Sequence, residues 1–309
     1  MSTLPIILDT DIGTDVDDLL ALAFLWGSPE VDIKGITCAY GDTELRARII
    51  HKLFHLANKT PIPVCVGAKR TLLNRKPIFW EGHEGQNILP PDDPPAPTHF
   101  PDAVDFLIQQ VKESQQPIHL VAIAPLTNIA LACIREPDFP KWVRGMSLMG
   151  GVNRPPDRLE LPVAEHNILC DPDAAQIVFR AFSEAKTPVT VVPLDVTTQV
   201  RLYPSAVKEF RACHTLFHDL IADEVEDYSW YQQHGSTALH DPLTAASLID
   251  PNLLTTLPVE VNIELTGTHT LGASVFKTDP ESQIRLAIAV RNTRAQNLIV
   301  ERILDSVNL

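Results

Sequence analysis

Basic clusters are missing from this chain. It holds 25 Lys and Arg against 39 Asp and Glu, a net charge of −14, and no Lys/Arg-rich run. That excludes the electrostatic footprint of a nucleic-acid or anionic-membrane binder. Cysteine is sparse. The five thiols (Cys38, Cys65, Cys133, Cys170, Cys213) are odd in number and form no CxxC pair. They predict buried thiols in a reducing compartment, not a disulfide framework. No apolar run reaches membrane-spanning length, and no leader precedes the first strand pattern. A cytoplasmic protein is the default expectation. Internal repeats and low-complexity segments are also absent. The 309 residues, 45% of them hydrophobic, suffice for one large α/β domain or two small ones.

What is present begins with LDTDIGTDVDD at 8–18, which packs Asp9, Asp11, Asp15, Asp17 and Asp18 into ten residues. An apolar run, Leu4 to Leu8, precedes it and reads as a buried strand. LLALAFLW follows, with Leu19, Leu22, Ala23 and Trp26 at helical spacing. The carboxylates therefore sit on a strand-to-helix turn, with Gly13 allowing the tight backbone. Open α/β sheets place their ligands at such carboxyl ends. Helix capping explains one or two of the five. Two such charges about 4 Å apart repel by roughly 4 kcal/mol at an effective dielectric of about 20. A cation turns that repulsion into ligation, and all-oxygen donors favour Ca²⁺ or Mg²⁺ over zinc or copper. An EF-hand does not fit, because Thr14 and Leu20 stand where its Gly and Glu belong. A haloacid-dehalogenase-like phosphohydrolase with Asp9 or Asp11 as nucleophile remains an alternative, although Gly13 stands where Thr or Val is usual.

Along the chain, strand patterns at VDIKGITC, PIPVCVG, IHLVAIA, VRGMSLMGG and VTVVPLDVT alternate with helical ones. Leu45, Ile49, Leu53 and Leu56 mark one helix face, Pro125 and Thr127 open a helix, and Asp171 caps another. An acidic, largely helical stretch covers 204–231, and PVEVNIEL and IRLAIAV read as strands near a sheet edge. The expected architecture is a single open, mostly parallel (mixed) sheet with helices on both faces, residues 1–309 forming one domain. Residues 71–101 break the alternation, ending in the Pro-rich run PPDDPPAPTHFP, which reads as a surface loop. His83 lies there between glycines and is either a loop histidine or a site residue. His240 is less ordinary, because it adjoins Asp241 at a helix start.

Six stretches carry a resemblance: LDTDIGTDVDD (8–18), ITCAYGDTELRAR (36–48), APLTNIALA (124–132), LMGG (148–151), AEHNILCDPDAA (164–175) and HDPLTAASLIDP (240–251). In this order the chain resembles the inosine–uridine-type nucleoside hydrolases along nearly its whole length. The resemblance implies hydrolysis of the N-glycosidic bond of ribonucleosides by a Ca²⁺-dependent, commonly dimeric or tetrameric enzyme. By resemblance Asp11, Asp18 and Asp241 supply carboxylates to Ca²⁺, and Thr127 a backbone carbonyl. Asp11 is also the general base, and His240 a candidate acid near the leaving base. Asp17 and Asn167 bind ribose hydroxyls, and Glu165 lies at the 5′ side of the sugar. Asp42 and His83 are further substrate-contact candidates.

The chemistry suits those residues. The bond breaks through an oxocarbenium-like sugar cation, which carboxylates stabilise, and a histidine titrating near neutrality assists the departing base. The chain departs from the family pattern in four places. Ile12 replaces a proline with two residues added before the last Asp pair, Asp42 replaces an asparagine, Leu159 another asparagine, and His166 an aromatic residue. Asp15 is thus an alternative to Asp17, and the sugar's 5′ end is open. Leu159 and Asp42 also motivate a second reading, a non-catalytic Ca²⁺-dependent nucleoside-binding homologue.

Overall fold

The first apolar run forms a central strand because both of its faces find a core. In the computed structural model, which describes residues 3–89, 100–153, 155 and 157–307, β1 (Leu4–Thr10) sends Ile6 and Leu8 into one hydrophobic layer and Ile7 into the other. The first half continues with α1 (Asp17–Trp26), β2 (Val31–Cys38), α2 (Thr43–Leu56), β3 (Val64–Val66), α3 (Ala103–Glu113), β4 (His119–Ala122), α4 (Thr127–Arg135), α5 (Phe139–Trp142) and β5 (Gly145–Met149). Then come α6 (His166–Cys170), α7 (Pro172–Ala185), β6 (Val189–Val192), α8 (Leu194–Thr197), β7 (Arg201–Leu202), α9 (Pro204–Ala212), α10 (Leu216–Asp227) and α11 (Ser229–His234). The chain closes with β8 (Thr237–Ala238), α12 (His240–Ile249), β9 (Leu254–Ile263), β10 (Ser274–Thr278), β11 (Ile284–Val290) and α13 (Asn292–Leu304).

Nine strands form one sheet in the order β10-β9-β11-β6-β5-β4-β1-β2-β3. From β3 to β11 every pairing is parallel, whereas β9 and β10 add an antiparallel edge. One face is covered by α1, α2, α12 and α13 with α9 and α10, and the other by α3, α4, α5 and α7. The expected mixed open sheet with helices on both faces is therefore what the chain forms. Strand order reverses at β1, which pairs β2 on one side and β4 on the other. That switch point opens a crevice at the carboxyl ends of β1 and β4. No helix among the described residues is long and apolar enough to cross a membrane.

Some local expectations differ. Helix α2 buries Arg46, Ala47, Ile49, Ile50, Leu53 and Phe54, while Leu45 and Leu56 lie at the margin of that face. VTVVPLDVT is a strand only to Val192, because Pro193 removes a ladder donor and α8 turns away. The edge strand β10 carried no recognised pattern, as its exposed residues lack a core face. IRLAIAV forms the third strand from that edge, covered by β9 and β10. Of the Pro-rich run at 90–101, residues 90–99 lie outside the described residues.

Candidate active site

The strand-to-helix turn holds its carboxylates by backbone geometry. Gly13 has φ +115°, and a Cβ there would meet Ile49 Cδ1 at 2.6 Å. Val16, not an aspartate, is the N-cap of α1 and makes no side-chain cap bond. Asp17 and Asp18 occupy the first turn of α1 and are buried. Asp11 and Asp15 project from the loop before it. A cavity of about 420 Å³ gathers Asp11, Asp15, Asp17 and Asp18 with Asp241 and His240 of α12, and with Glu165, His166 and Asn167 around the start of α6. The structure thus assembles side chains separated by up to 230 positions.

A fully buried arginine braces this loop. Arg46 of α2 donates through Nη1 to the carbonyls of Asp11 and Ile12, the latter at 2.8 Å. Its Nε donates to Tyr40 O at 2.7 Å and Nη2 to Thr14 Oγ1 at 3.3 Å. Tyr40 is held at φ 63°, with its ring on the cavity wall and its hydroxyl accepting from Phe79 N at 2.7 Å. Beneath lies Asp9, whose Oδ1 accepts from Thr37 Oγ1 at 2.5 Å and Asn128 Nδ2 at 2.8 Å. Asn128 also donates to Cys38 O and accepts from Ala68 N, tying three strand ends together. Asp9 is buried and does not line the cavity. It is placed to organise the loop, not to attack a phosphoester.

The carboxylates share one electrostatic condition. Burial pushes Asp11 above the ordinary carboxyl range, and it pushes Asp17, Asp18 and Asp241 well above it, with neighbouring carboxylates adding to the effect. Thr10 Oγ1 donates to Asp18 Oδ1. Arg46, the guanidinium beside them, directs its N–H groups at backbone carbonyls and a hydroxyl. Buried, mutually repelling hard oxygens are the donor set of a divalent cation site. Oxygens of Asp15, Asp17 and Asp18 lie within 4.8 Å of one another and could hold a metal ion.

The sugar-facing wall is equally specific. Glu165 caps α6, its carboxylate accepting from Asn167 N (2.7 Å), Gly151 N (3.0 Å) and Ile168 N (3.1 Å). Burial still raises its carboxyl. Asn167 Nδ2 donates to Ile123 O at 3.2 Å and Met149 O at 3.4 Å, which fixes its amide at the cavity. The ring of His166 lies 5.5 Å from that of Phe79, and its Nε2 is 3.4 Å from Cys170 Sγ. Burial opposes charge on His166, yet Cys170, Asp11 and Glu165 outweigh it and push the imidazole up to about 10.

His240 stands where this cavity meets a second one, of about 370 Å³, lined by Leu161, Tyr228, Trp230, Arg158 and Arg201 among others. Its Nδ1 lies 2.6 Å from Thr197 Oγ1. Burial lowers it to about 4, Asp15 opposing and Arg201 reinforcing. Burial thus favours the neutral ring at pH 7, which corrects the sequence expectation of a histidine titrating near neutrality.

Three expected residues lie elsewhere. Thr127 does not line the cavity: it begins α4, and its hydroxyl donates to Asp171 Oδ2 at 2.8 Å. Ile123, four residues earlier at the end of β4, lines the cavity instead. Asp42 is an exposed N-cap of α2, accepting from Leu45 N at 3.1 Å. His83 is exposed, its Nε2 2.8 Å from Thr14 O, in a neighbouring third cavity with Glu81 and Glu224. Leu159 lies outside both main cavities. Tyr40 and Arg46 lie in a stretch that carries the resemblance but were given no role, and Thr197 and Arg201 carried no signal, because their roles depend on contacts between distant segments.

Residues 6–300 match the family model described as inosine-uridine preferring nucleoside hydrolase. The chain is 34% identical over 283 residues to the pyrimidine-specific ribonucleoside hydrolase RihA of Enterobacter sp. (strain 638), covering 88% of this chain and 87% of that one. It is 31% identical over 314 residues to the same enzyme of Shigella boydii serotype 4 (strain Sb227), covering 97% and 98%. Among solved structures it is similar to a purine-preferring ribonucleoside hydrolase from Gardnerella vaginalis, with TM-score 0.85, 31% identity, and 98% and 99% of the two chains covered. It is also similar to the plant nucleoside hydrolase PpNRh1, with TM-score 0.83, 27% identity and the same coverage. With this fold, this carboxylate-lined crevice and these matches, the chain belongs to the inosine-uridine preferring nucleoside hydrolase family, enzymes that cleave the N-glycosidic bond of ribonucleosides.

Proposed function

We propose that the chain hydrolyses ribonucleosides with the sugar in the carboxylate cavity and the base in the adjoining one, as a single catalytic domain that uses Ca²⁺. The observation that carries this reading is the convergence of Asp11, Asp17, Asp18 and Asp241 from two distant segments on one cavity, all with carboxyls raised by burial. Asp11, Asp18 and Asp241 would hold the cation, with Asp15 and Asp17 beside it. When bound, Ca²⁺ supplies Lewis-acid activation of water and a grip on the ribose hydroxyls.

The chain's own residues do the rest. Asp11 takes the proton of the attacking water. Asp17 and the Asn167 amide fix ribose hydroxyls, and Glu165 faces the 5′ end. The carboxylate wall favours the positive charge that grows on the sugar as the bond stretches. His240, neutral and at the junction of the two cavities, hydrogen-bonds near the scissile bond. Tyr228 and Trp230 offer stacking surfaces to the base.

Neither Asp42 nor Leu159 touches the cavity, so the features that motivated a non-catalytic reading do not bear on it. Reducing-sugar release from a panel of purine and pyrimidine ribosides, with Ca²⁺ and with EDTA, tests the proposal. Ribose release lost on chelation and restored by Ca²⁺ is expected. No release from any riboside in Ca²⁺ would overturn it.

A further inference from the structure

The two cavities differ in their charged lining. The sugar end carries the five carboxylates of Asp11, Asp15, Asp17, Asp18 and Asp241. The base end shares Asp15 and Asp17 with it and adds Glu160 and two guanidinium groups, Arg158 and Arg201. Arg158 is neutralised by Glu160, at 2.5 Å. Arg201 has no carboxylate partner among the described residues. It is instead tethered through neutral atoms: Nε donates to Ser236 Oγ and Nη2 to Ser236 O, both at 2.9 Å. Its Nη1 makes no hydrogen bond among the described residues. The tether is rigid, because β7 pairs Arg201 with Ala238 of β8, two residues before His240. Leu239 N then donates to Val200 O at 2.9 Å.

We propose that Arg201 is the leaving-group residue: its guanidinium receives the negative charge that develops on the departing base. This rests on the glycosidic-bond reading above. In the step, the C1′–N bond breaks and its electron pair stays on the base nitrogen. The sugar carbon, now cationic, takes the oxygen of water, and that water's proton goes to Asp11. The base departs as an anion beside Arg201 and takes a proton from solvent. A cation fixed beside the departing base favours the charge separation that the reaction creates, so it lowers the barrier without first protonating the base. A fixed cation with donor N–H groups also suits bases bearing carbonyl oxygens, which accept hydrogen bonds and spread anionic charge.

The test compares Arg201→Gln and Arg201→Lys with the wild type in Ca²⁺. The substrates are inosine, uridine, 5-fluorouridine, adenosine, cytidine and 4-nitrophenyl β-D-ribofuranoside. Loss of one preorganised charge-stabilising donor typically costs about 10²-fold or more in kcat. Arg201→Gln should lose about that on uridine or inosine and clearly less on 5-fluorouridine. It should stay within about threefold on the nitrophenyl riboside, whose phenolate leaves unaided. Arg201→Lys should recover part of the loss, because it keeps the charge. An unchanged Ca²⁺-induced thermal shift would show that Arg201→Gln is folded. Equal losses on every leaving group, or no loss at all, would overturn the proposal. Wild type that releases ribose from none of them would instead overturn the glycosidic reading.

Discussion

Thr197 Oγ1 and His240 Nδ1 lie 2.6 Å apart, and the threonine is fully buried. The bond fixes the plane of an imidazole that stands between the sugar and base cavities. A neutral hydrogen bond of this kind contributes about 0.5–1.5 kcal/mol, which corresponds to about two- to tenfold in rate. Thr197→Val should therefore lower kcat for nucleosides by up to about tenfold with KM little changed, whereas Thr197→Ser should retain it. Steady-state kinetics on both variants decides. A loss confined to KM would show that the threonine only shapes the pocket.

Asp11 should be the most sensitive position. As the group that takes the water proton, its replacement by Asn should lower kcat by about 10²–10⁴-fold, the usual contribution of a general base. Circular dichroism and melting temperature should show the fold intact, because the side chain lies at a cavity wall and not in a core layer. Activity within tenfold of wild type would move the base to another carboxylate, Asp15 first.

The aspartates make stability depend on cation and pH together. Asp18 has a folded carboxyl well above its ordinary 3.8. The folded state thus binds more protons than the unfolded one, and Asp18's contribution to stability falls as pH rises from 3.8 through the folded value. His240, lowered to about 4, acts with the opposite sign below its unfolded value of 6.5. A comparison with Asp18→Asn isolates the carboxylate. In EDTA the variant should melt above wild type at pH 7, and the gap should narrow at pH 5. Ca²⁺ at a hundred times its Kd should stabilise wild type by about 2.7 kcal/mol. That gain should shrink at pH 5, where protons compete for the same oxygens, and shrink sharply in Asp18→Asn. Differential scanning fluorimetry measures all three.

Arg46 should matter to stability and to the site at once. Its removal leaves the carbonyls of Asp11, Ile12 and Tyr40 without their buried donor, and each unsatisfied group costs about 1–3 kcal/mol. Arg46→Met should lower stability by about 3 kcal/mol or more, seen as a lower urea midpoint at unchanged slope. Its Ca²⁺ affinity, followed by calorimetry, should weaken in parallel. Arg46→Lys should recover only part, because one ammonium cannot fork to three carbonyls.

Much of this architecture can be read from periodicity. The strands from Leu4, Val31, His119 and Gly145 are apolar runs between helical patterns, and the buried sheet they form is the only way to hide both faces. The carboxylate loop is local in sequence, so its density of Asp announces it. Asp171 as a cap and His240 at the start of α12 are local signals too, and both hold. What local pattern cannot give is which distant group completes a contact. The resemblance gave Thr127 a backbone-carbonyl role, but the residue begins α4 outside the cavity lining, with its hydroxyl bonded to Asp171. Asp42 looked like a substrate contact and instead satisfies the first turn of α2. Arg46 lies on a helix face that reads as apolar, and only the tertiary fold shows that three carbonyls await it. Arg201 sits on a two-residue strand with no pattern at all.

Helix α1 forms the firm wall of the crevice. All ten of its residues are buried, so the helix bearing Asp17 and Asp18 meets solvent only through the cavity those side chains line. The acidic half of the crevice is an anvil. The softer wall faces it, where Phe79 and Trp230 stand partly in solvent on segments outside the sheet.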